Sequence, residues 1–245
     1  MPLFTEPLLA PPPPLDIARD ALFLDFDGTL VEIAPRPDAI TLPPGLAARL
    51  AALEGALGGA FALVSGRNLA ELVRYLDGFG GLIIGGHGAE ARGLSGADTP
   101  PPEALAALQS RMSAFARAER LLYEPKAHGA ALHYRSRPDF GPEVEAFIQS
   151  LLQQFSGFSV QPAKMAYELR PASASKDRAL ARLWDLPRFA GRRPVFLGDD
   201  TTDEPAIAWA AAQGGYGVKV GPGETAARYR LADPAAVLSW LEGGA

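Results

Sequence analysis

The chain has 245 residues, 48% hydrophobic and 21% charged, which suits a globular protein with a substantial core. Its net charge of −5 lacks the basic excess that nucleic acid and anionic membranes attract, so neither is expected as a partner. The absence of cysteine excludes disulfides, zinc–thiolate sites, iron–sulfur clusters and cysteine nucleophiles.

Residues 1–20 read as a flexible tail, with four consecutive prolines at Pro11–Pro14. The N-terminus shows no basic segment followed by an apolar run, and a cytoplasmic monomer is expected. Ala21–Leu24 is a short apolar run, the pattern of a buried parallel strand, and ends in Asp25-Phe26-Asp27-Gly28-Thr29. Pro43-Pro44 followed by Leu46, Leu50 and Leu53 predicts a helix. Ala60–Val64 is a second strand ending at Ser65-Gly66-Arg67, Leu69–Leu76 a helix, and Gly81–Ile84 a third strand.

The pattern then changes. A helix opens at Pro100–Pro102, followed by strands at Tyr123–Lys126 and Ala130–Arg135 turning near His128-Gly129. A helix around Val144–Leu151 and strands at Phe158–Gln161 and Ala166–Arg170 complete an α+β module with an antiparallel sheet. After Pro171 the alternation returns: a helix from Lys176, a strand at Pro194–Leu197 ending in Gly198-Asp199-Asp200, a helix over Ile207–Ala211 and a strand at Tyr216–Val220. Val237–Leu241 closes the chain. The expected division is a core of 21–92 and 171–245 with an inserted module of 93–170.

Two carboxylates directly after a buried strand repel each other and gain nothing in the core unless a cation neutralises them. An acidic turn is the plain alternative for Asp25 and Asp27, since Asp-Gly-Thr is good turn chemistry. A capped helix N-terminus explains Thr202 or Glu204, but not Asp199 and Asp200 together after an apolar strand. If the two strands are neighbours, Asp25, Asp27 and Asp199 converge into a hard-oxygen site for Mg2+. Ser65 offers a hydroxyl to an anion and Lys176 a point charge to a phosphoryl oxygen. Each of these two also has an ordinary reading, as a turn and as a solvated helix start.

Taken in order, Asp25-x-Asp27-Gly-Thr, Ser65, Lys176 and Gly-Asp199-Asp200-x-x-Asp203 resemble the four motifs of the haloacid dehalogenase-like superfamily. The resemblance implies a Rossmann-like α/β core with a parallel sheet and an α+β cap of the C2 type. It implies that Asp25 attacks phosphorus to form an aspartyl phosphate, while Asp27 acts as general acid and then base. It further implies magnesium on the Asp25 carboxylate, the Asp27 main-chain carbonyl and Asp199, with Asp203 orienting Lys176 or a metal-bound water.

Ser65 and Lys176 are separated by 110 residues, far more than a helix–strand return needs, so the module between them is a cap whose polar strand residues report on the substrate. Glu124 and Lys126 share a strand face, as do His133 with Arg135 and Glu168 with Arg170. A solvated sheet face is the ordinary reading. Carboxylates mixed with cations also suit a neutral, hydroxyl-rich leaving group. The segments Gly86–Glu90, Glu124-x-Lys126 through His133-Tyr134-Arg135, Glu168–Pro171 and Gly198–Glu204 are similar to trehalose-6-phosphate phosphatases. That resemblance implies that Glu124, Lys126 and Glu168 bind the distal glucose, and adds Ser65, Gly66, Arg67, His87 and Arg135 as further substrate-side candidates.

The rival enzyme reading is a phosphatase for another sugar phosphate, such as sucrose phosphate or mannosylphosphoglycerate. A phosphomutase is a further enzyme reading. A catalytically silent regulatory domain is the rival from another class, and loss of Asp25 or Asp27 would be its signature. Gly221-Pro222-Gly223-Glu224-Thr225-Ala226 superficially fits a dinucleotide fingerprint, but it lies near the C-terminus and reads as a Pro-Gly turn.

Overall fold

The strand β1 (Asp20–Leu24) is buried at every residue, as a central parallel strand covered on both faces must be. The computed structural model describes residues 9–34, 39–94 and 100–243. It divides into two units, Met1–Ser95 with Ser175–Ala245, and Gly96–Ala174.

In the first unit β1 is followed by α1 (Leu46–Ala56), β2 (Phe61–Val64), α2 (Leu69–Tyr75), β3 (Leu82–Gly85) and β4 (Glu90–Arg92). The chain then builds the second unit from α3 (Pro102–Glu119), β5 (Leu122–Lys126), β6 (Gly129–His133), α4 (Gly141–Gln154), β7 (Phe158–Ala163) and β8 (Ala166–Pro171). It returns through α5 (Lys176–Trp184), β9 (Arg193–Gly198), α6 (Glu204–Ala212), β10 (Tyr216–Val220), β11 (Tyr229–Leu231) and α7 (Pro234–Gly243).

The first unit holds a seven-stranded sheet of order β11-β10-β9-β1-β2-β3-β4, parallel except for β4 against β3. Leu24 pairs with Leu63 of β2 and Leu197 of β9, so the segments after β1, β2 and β9 emerge at one edge. That edge is where open α/β sheets bind ligands. Phe23 of β1 is fully buried, stacks on Phe189 at 5.2 Å and meets Trp184 and Trp209 at 6.3 and 6.4 Å. These rings clamp α5 and α6 onto β1, and burying one such side chain contributes roughly 2–3 kcal/mol. The clamp fixes the helix starts at Lys176 and Glu204 over the acidic edge.

In the second unit the sheet order is β5-β6-β8-β7, antiparallel throughout. Leu132, Leu169 and Ala130 face a core shared with Leu108 and Met112 of α3 and Val144 and Ile148 of α4. The opposite face is polar. Glu124 lies across from Ala131, which lies across from Glu168.

Two strands lie outside the sequence expectation, β4 and β11. Both are three-residue edge strands with charged residues, and no apolar run announces them. Over 9–20 the expected flexible tail is a tied segment. Arg230 N donates to Ala10 O at 3.1 Å, Trp240 Nε1 to Pro13 O at 2.8 Å and Arg192 to Ile17 O at 2.7 Å, and Leu15 is buried. Residues 1–8 of that expectation lie outside the described residues. The strand expected to reach Arg135 ends at His133, because Arg137 N turns back to Tyr134 O ahead of Pro138. Among the described residues no helix is long and apolar enough to cross a membrane.

Candidate active site

Asp25 is the first residue past β1, and its N–H donates to Leu197 O at 3.0 Å, which fixes the loop against β9. Its carboxylate is buried and lies 2.7 Å from Lys176 Nζ. The same ammonium donates to Asp203 Oδ1 at 2.5 Å. The second oxygen of Asp203 accepts from Asp200 N at 3.1 Å, in a reciprocal capping box that opens the turn before α6. Asp203 is therefore occupied on both oxygens and fully buried.

Asp199 completes the cluster. One oxygen from each of Asp25, Asp199 and Asp203 can be chosen so that all lie within 4.8 Å of one another. Gly28 allows this approach. It has φ +70°, and a Cβ there would sit 2.1 Å from Asp199 Oδ2. Gly198 does the same for Asp203, whose carboxyl carbon would lie 2.3 Å from an added Cβ. Gly28 thus lets the loop after β1 close on that after β9, and Gly198 lets the β9 loop fold back on its own strand end.

Electrostatics follow from the crowding. Burial, then Asp203 and Asp200, push the Asp199 carboxyl up to about 6, against the pull of Lys176 and Lys219. Burial also raises the Asp25 carboxyl, opposed by Lys176 beside it. Burial alone would lower the Lys176 ammonium, but Asp25 and Asp203 more than offset this and its pKa is raised. Three carboxylates against few buried cations suit a hard divalent cation, which would lower both raised carboxyls. Asp25 and Asp199 are the carboxylates left to hold it, since Asp203 already serves Lys176 and the Asp200 main chain.

Asp27 turns its carboxylate to Arg67, which grips it with Nε at 2.6 Å and a terminal nitrogen at 2.7 Å. The guanidinium also lies 5.5 Å from the Tyr75 ring and 5.9 Å from that of Phe26. Arg67 thus engages the residue two places past Asp25, a pairing the sequence reading did not contain. Ser65 is buried past β2. Its Oγ accepts from Arg67 N at 3.2 Å, so its hydrogen is free to be donated. Gly66 lies in the same turn with the His87 ring packed over it. His87 N donates to Ser65 O at 3.0 Å from a left-handed backbone of φ 55°.

In the second unit Lys126 Nζ lies 2.8 Å from Glu168 and 3.7 Å from Glu124, and His133 Nε2 is 2.9 Å from the other Glu124 oxygen. Ala131, small and between the two glutamates, leaves room for this network. The Glu168 and Glu124 carboxylates raise Lys126 despite the opposing effect of its burial. The turn residue Arg135 is exposed and off the strand face it was expected to share with His133. The sequence reading also missed Lys219, a buried lysine in β10 beside Asp199. Its signal was present: a lone charge in the apolar run Tyr216–Val220.

The parallel sheet, with acidic loops after β1 and β9 and a buried lysine at the start of α5, gives the chain a haloacid dehalogenase-like fold. A solved haloacid dehalogenase-like hydrolase from Bacteroides thetaiotaomicron shares the fold with TM-score 0.66 and 17% identity, over 91% of this chain and 98% of that one. More narrowly, the trehalose-phosphatase family model matches residues 23–235, and the chain belongs to that family. It is 38% identical over 245 residues to the trehalose-6-phosphate phosphatase of Escherichia coli K12, covering 97% of this chain and 90% of the relative. A solved structure described as a trehalose-6-phosphate phosphatase related protein matches with TM-score 0.68 and 26% identity, over 90% of this chain and 95% of that one.

Proposed function

We propose that this chain hydrolyses trehalose 6-phosphate to trehalose and phosphate, with magnesium held by the Asp25 and Asp199 carboxylates and the Asp27 main-chain carbonyl. The observation that carries the reading is the buried Asp25, paired with Lys176 and crowded by Asp199 and Asp203, with Asp27 two residues on. When bound, magnesium supplies charge neutralisation and alignment of the phosphoryl group.

Asp25 attacks phosphorus, and the bond to the sugar 6-oxygen breaks as an aspartyl phosphate forms. Asp27 gives its proton to that departing oxygen. A protonated Asp27 cannot accept two charge-assisted bonds as a carboxylate does, so its grip on Arg67 is loose before this step and is restored once the proton has left. Asp27 then takes a proton from water, which attacks phosphorus and frees Asp25. Lys176 balances charge on the transferring group and is itself held by Asp203. The Ser65 hydroxyl donates to a phosphoryl oxygen.

In this reading Gly96–Ala174 is the cap, and Glu124, Lys126 and Glu168 recognise hydroxyls of the distal glucose. Carboxylates accept from vicinal diols, and the ammonium donates to hydroxyl or ring oxygens. His87 and Gly66 line the phosphate side beside Ser65. Arg67 acts on Asp27 rather than on the sugar. The reading includes a cytoplasmic monomer, and sedimentation tests the oligomeric part. The functional test is phosphate release from trehalose 6-phosphate, sucrose 6-phosphate and glucose 6-phosphate, with magnesium and with excess EDTA. Preference for trehalose 6-phosphate that vanishes reversibly on chelation is expected. Full turnover in EDTA removes the metal, and preference for another sugar phosphate removes the substrate.

A further inference from the structure

Lys219 is only 4% exposed, near the end of β10, one strand out from the acidic loop of β9. It pairs in register with Gly198, the residue before Asp199. Its side chain shares a strand face with Gly217, against which Ile207 of α6 packs. The ammonium reaches the loop after β9, at the main-chain oxygen of Asp199. Among the described residues it makes no ion pair, and its hydrogen bond is to the main-chain oxygen of Asp199. A buried ammonium served by one neutral acceptor is a costly choice for a core strand, where an apolar residue would pack without that cost. Something other than packing accounts for a charge at this place.

The contact supplies the reason. Asp199 has to turn its carboxylate toward Asp25 and against the backbone of Gly28, in a loop that reverses toward Asp203 within a few residues. A bond on the Asp199 carbonyl fixes the peptide plane from which that side chain departs. We propose that Lys219 is a positioning residue for Asp199, setting the orientation of this carboxylate for a divalent cation. The proposal rests on the reading of Asp25 and Asp199 as cation-holding residues. Two effects of Lys219 oppose each other. Its positive charge repels a cation, while its hydrogen bond orders a ligand for it. Ordering is taken to win, because the donor lies on the carbonyl of the very residue concerned.

The test is magnesium binding, measured by calorimetry with the metal alone on the full chain, for wild type, Lys219→Met and Lys219→Arg. Far-UV circular dichroism and melting in EDTA report folding. In Lys219→Met, with cooperative melting retained, magnesium affinity is expected to fall about 10–100-fold, the range for loss of an outer-shell partner. Should Lys219→Met not fold, Lys219→Arg keeps a buried charge but moves the donor, and several-fold weaker binding is expected of it. Unchanged affinity in a folded variant overturns the proposal and leaves Lys219 a packing residue. Tighter binding also overturns it and makes Lys219 a mere counter-charge. Absence of magnesium binding in the wild type instead overturns the cation reading on which the proposal rests.

Discussion

Asp27 and Arg67 hold each other by two short hydrogen bonds, and each step assigned to Asp27 changes its charge. Asp27→Asn keeps the shape of the side chain but not the transferable proton. Turnover of trehalose 6-phosphate is expected to fall roughly 10²–10⁴-fold with little change in melting temperature. Asp25→Asn should fall further, because the carboxylate proposed to attack phosphorus is replaced by a poorly nucleophilic amide. Near-normal steady-state rates for Asp25→Asn would remove the covalent step. Asp199 makes a separate prediction from its pKa, raised from 3.8 to about 6 in the folded protein. A raised carboxyl contributes stability that is complete below its unfolded pKa and is lost as pH rises through its folded one. Without metal, the contribution of Asp199 is therefore lost between about pH 4 and 6, and the ionised group is a cost at pH 7.5. In EDTA at that pH, Asp199→Asn should melt about 2–4 °C higher, on the order of 1 kcal/mol after allowance for solvent screening. Magnesium reverses the sign, since protons compete for the same oxygens. Its stabilisation of the wild type should be larger at pH 7.5 than at pH 5. Equal stabilisation at both pH values would separate Asp199 from the metal.

At the scale of elements, the second unit makes its own claim. Glu124, Lys126 and Glu168 come together because Ala131 leaves a gap between two strands, and none of them belongs to the Asp25–Lys176–Asp203 cluster. Glu124→Ala and Glu168→Ala should each lower kcat/KM for trehalose 6-phosphate roughly 10–100-fold. Hydrolysis of p-nitrophenyl phosphate should be spared, and equal losses on both substrates would make these residues structural. Strands such as Ala21–Leu24 and Tyr216–Val220 were legible because a parallel strand covered on both faces must be a continuous apolar run. The acidic loops were legible because paired carboxylates after such a run have few structural uses. Edge strands β4 and β11 carry no run, and Arg135 left its strand through a turn that composition does not encode. The segment from Ala10 to Ile17 looked unanchored because its ties are made through its main-chain carbonyls, to residues more than 170 positions away. Lys219 was overlooked for the opposite reason. It lies inside an otherwise apolar strand, and a single charge in such a run calls for a partner, here the Asp199 main chain.

At the scale of the molecule, the sheet edge gathers groups from four chain segments, Asp25, Ser65, Lys176 and Asp199 with Asp203, and the ring cluster around Phe23 holds α5, which starts at Lys176, and α6, which follows Asp203, in place. In the proposed reaction this edge passes phosphate through Asp25, so that two displacements occur at phosphorus. The stereochemical course of hydrolysis tests this most directly, with trehalose 6-phosphorothioate made chiral at phosphorus by two oxygen isotopes, the third supplied by labelled water, and magnesium present. Each displacement inverts the centre, so the account predicts net retention in the released thiophosphate. Net inversion, the signature of direct attack by water, would contradict it.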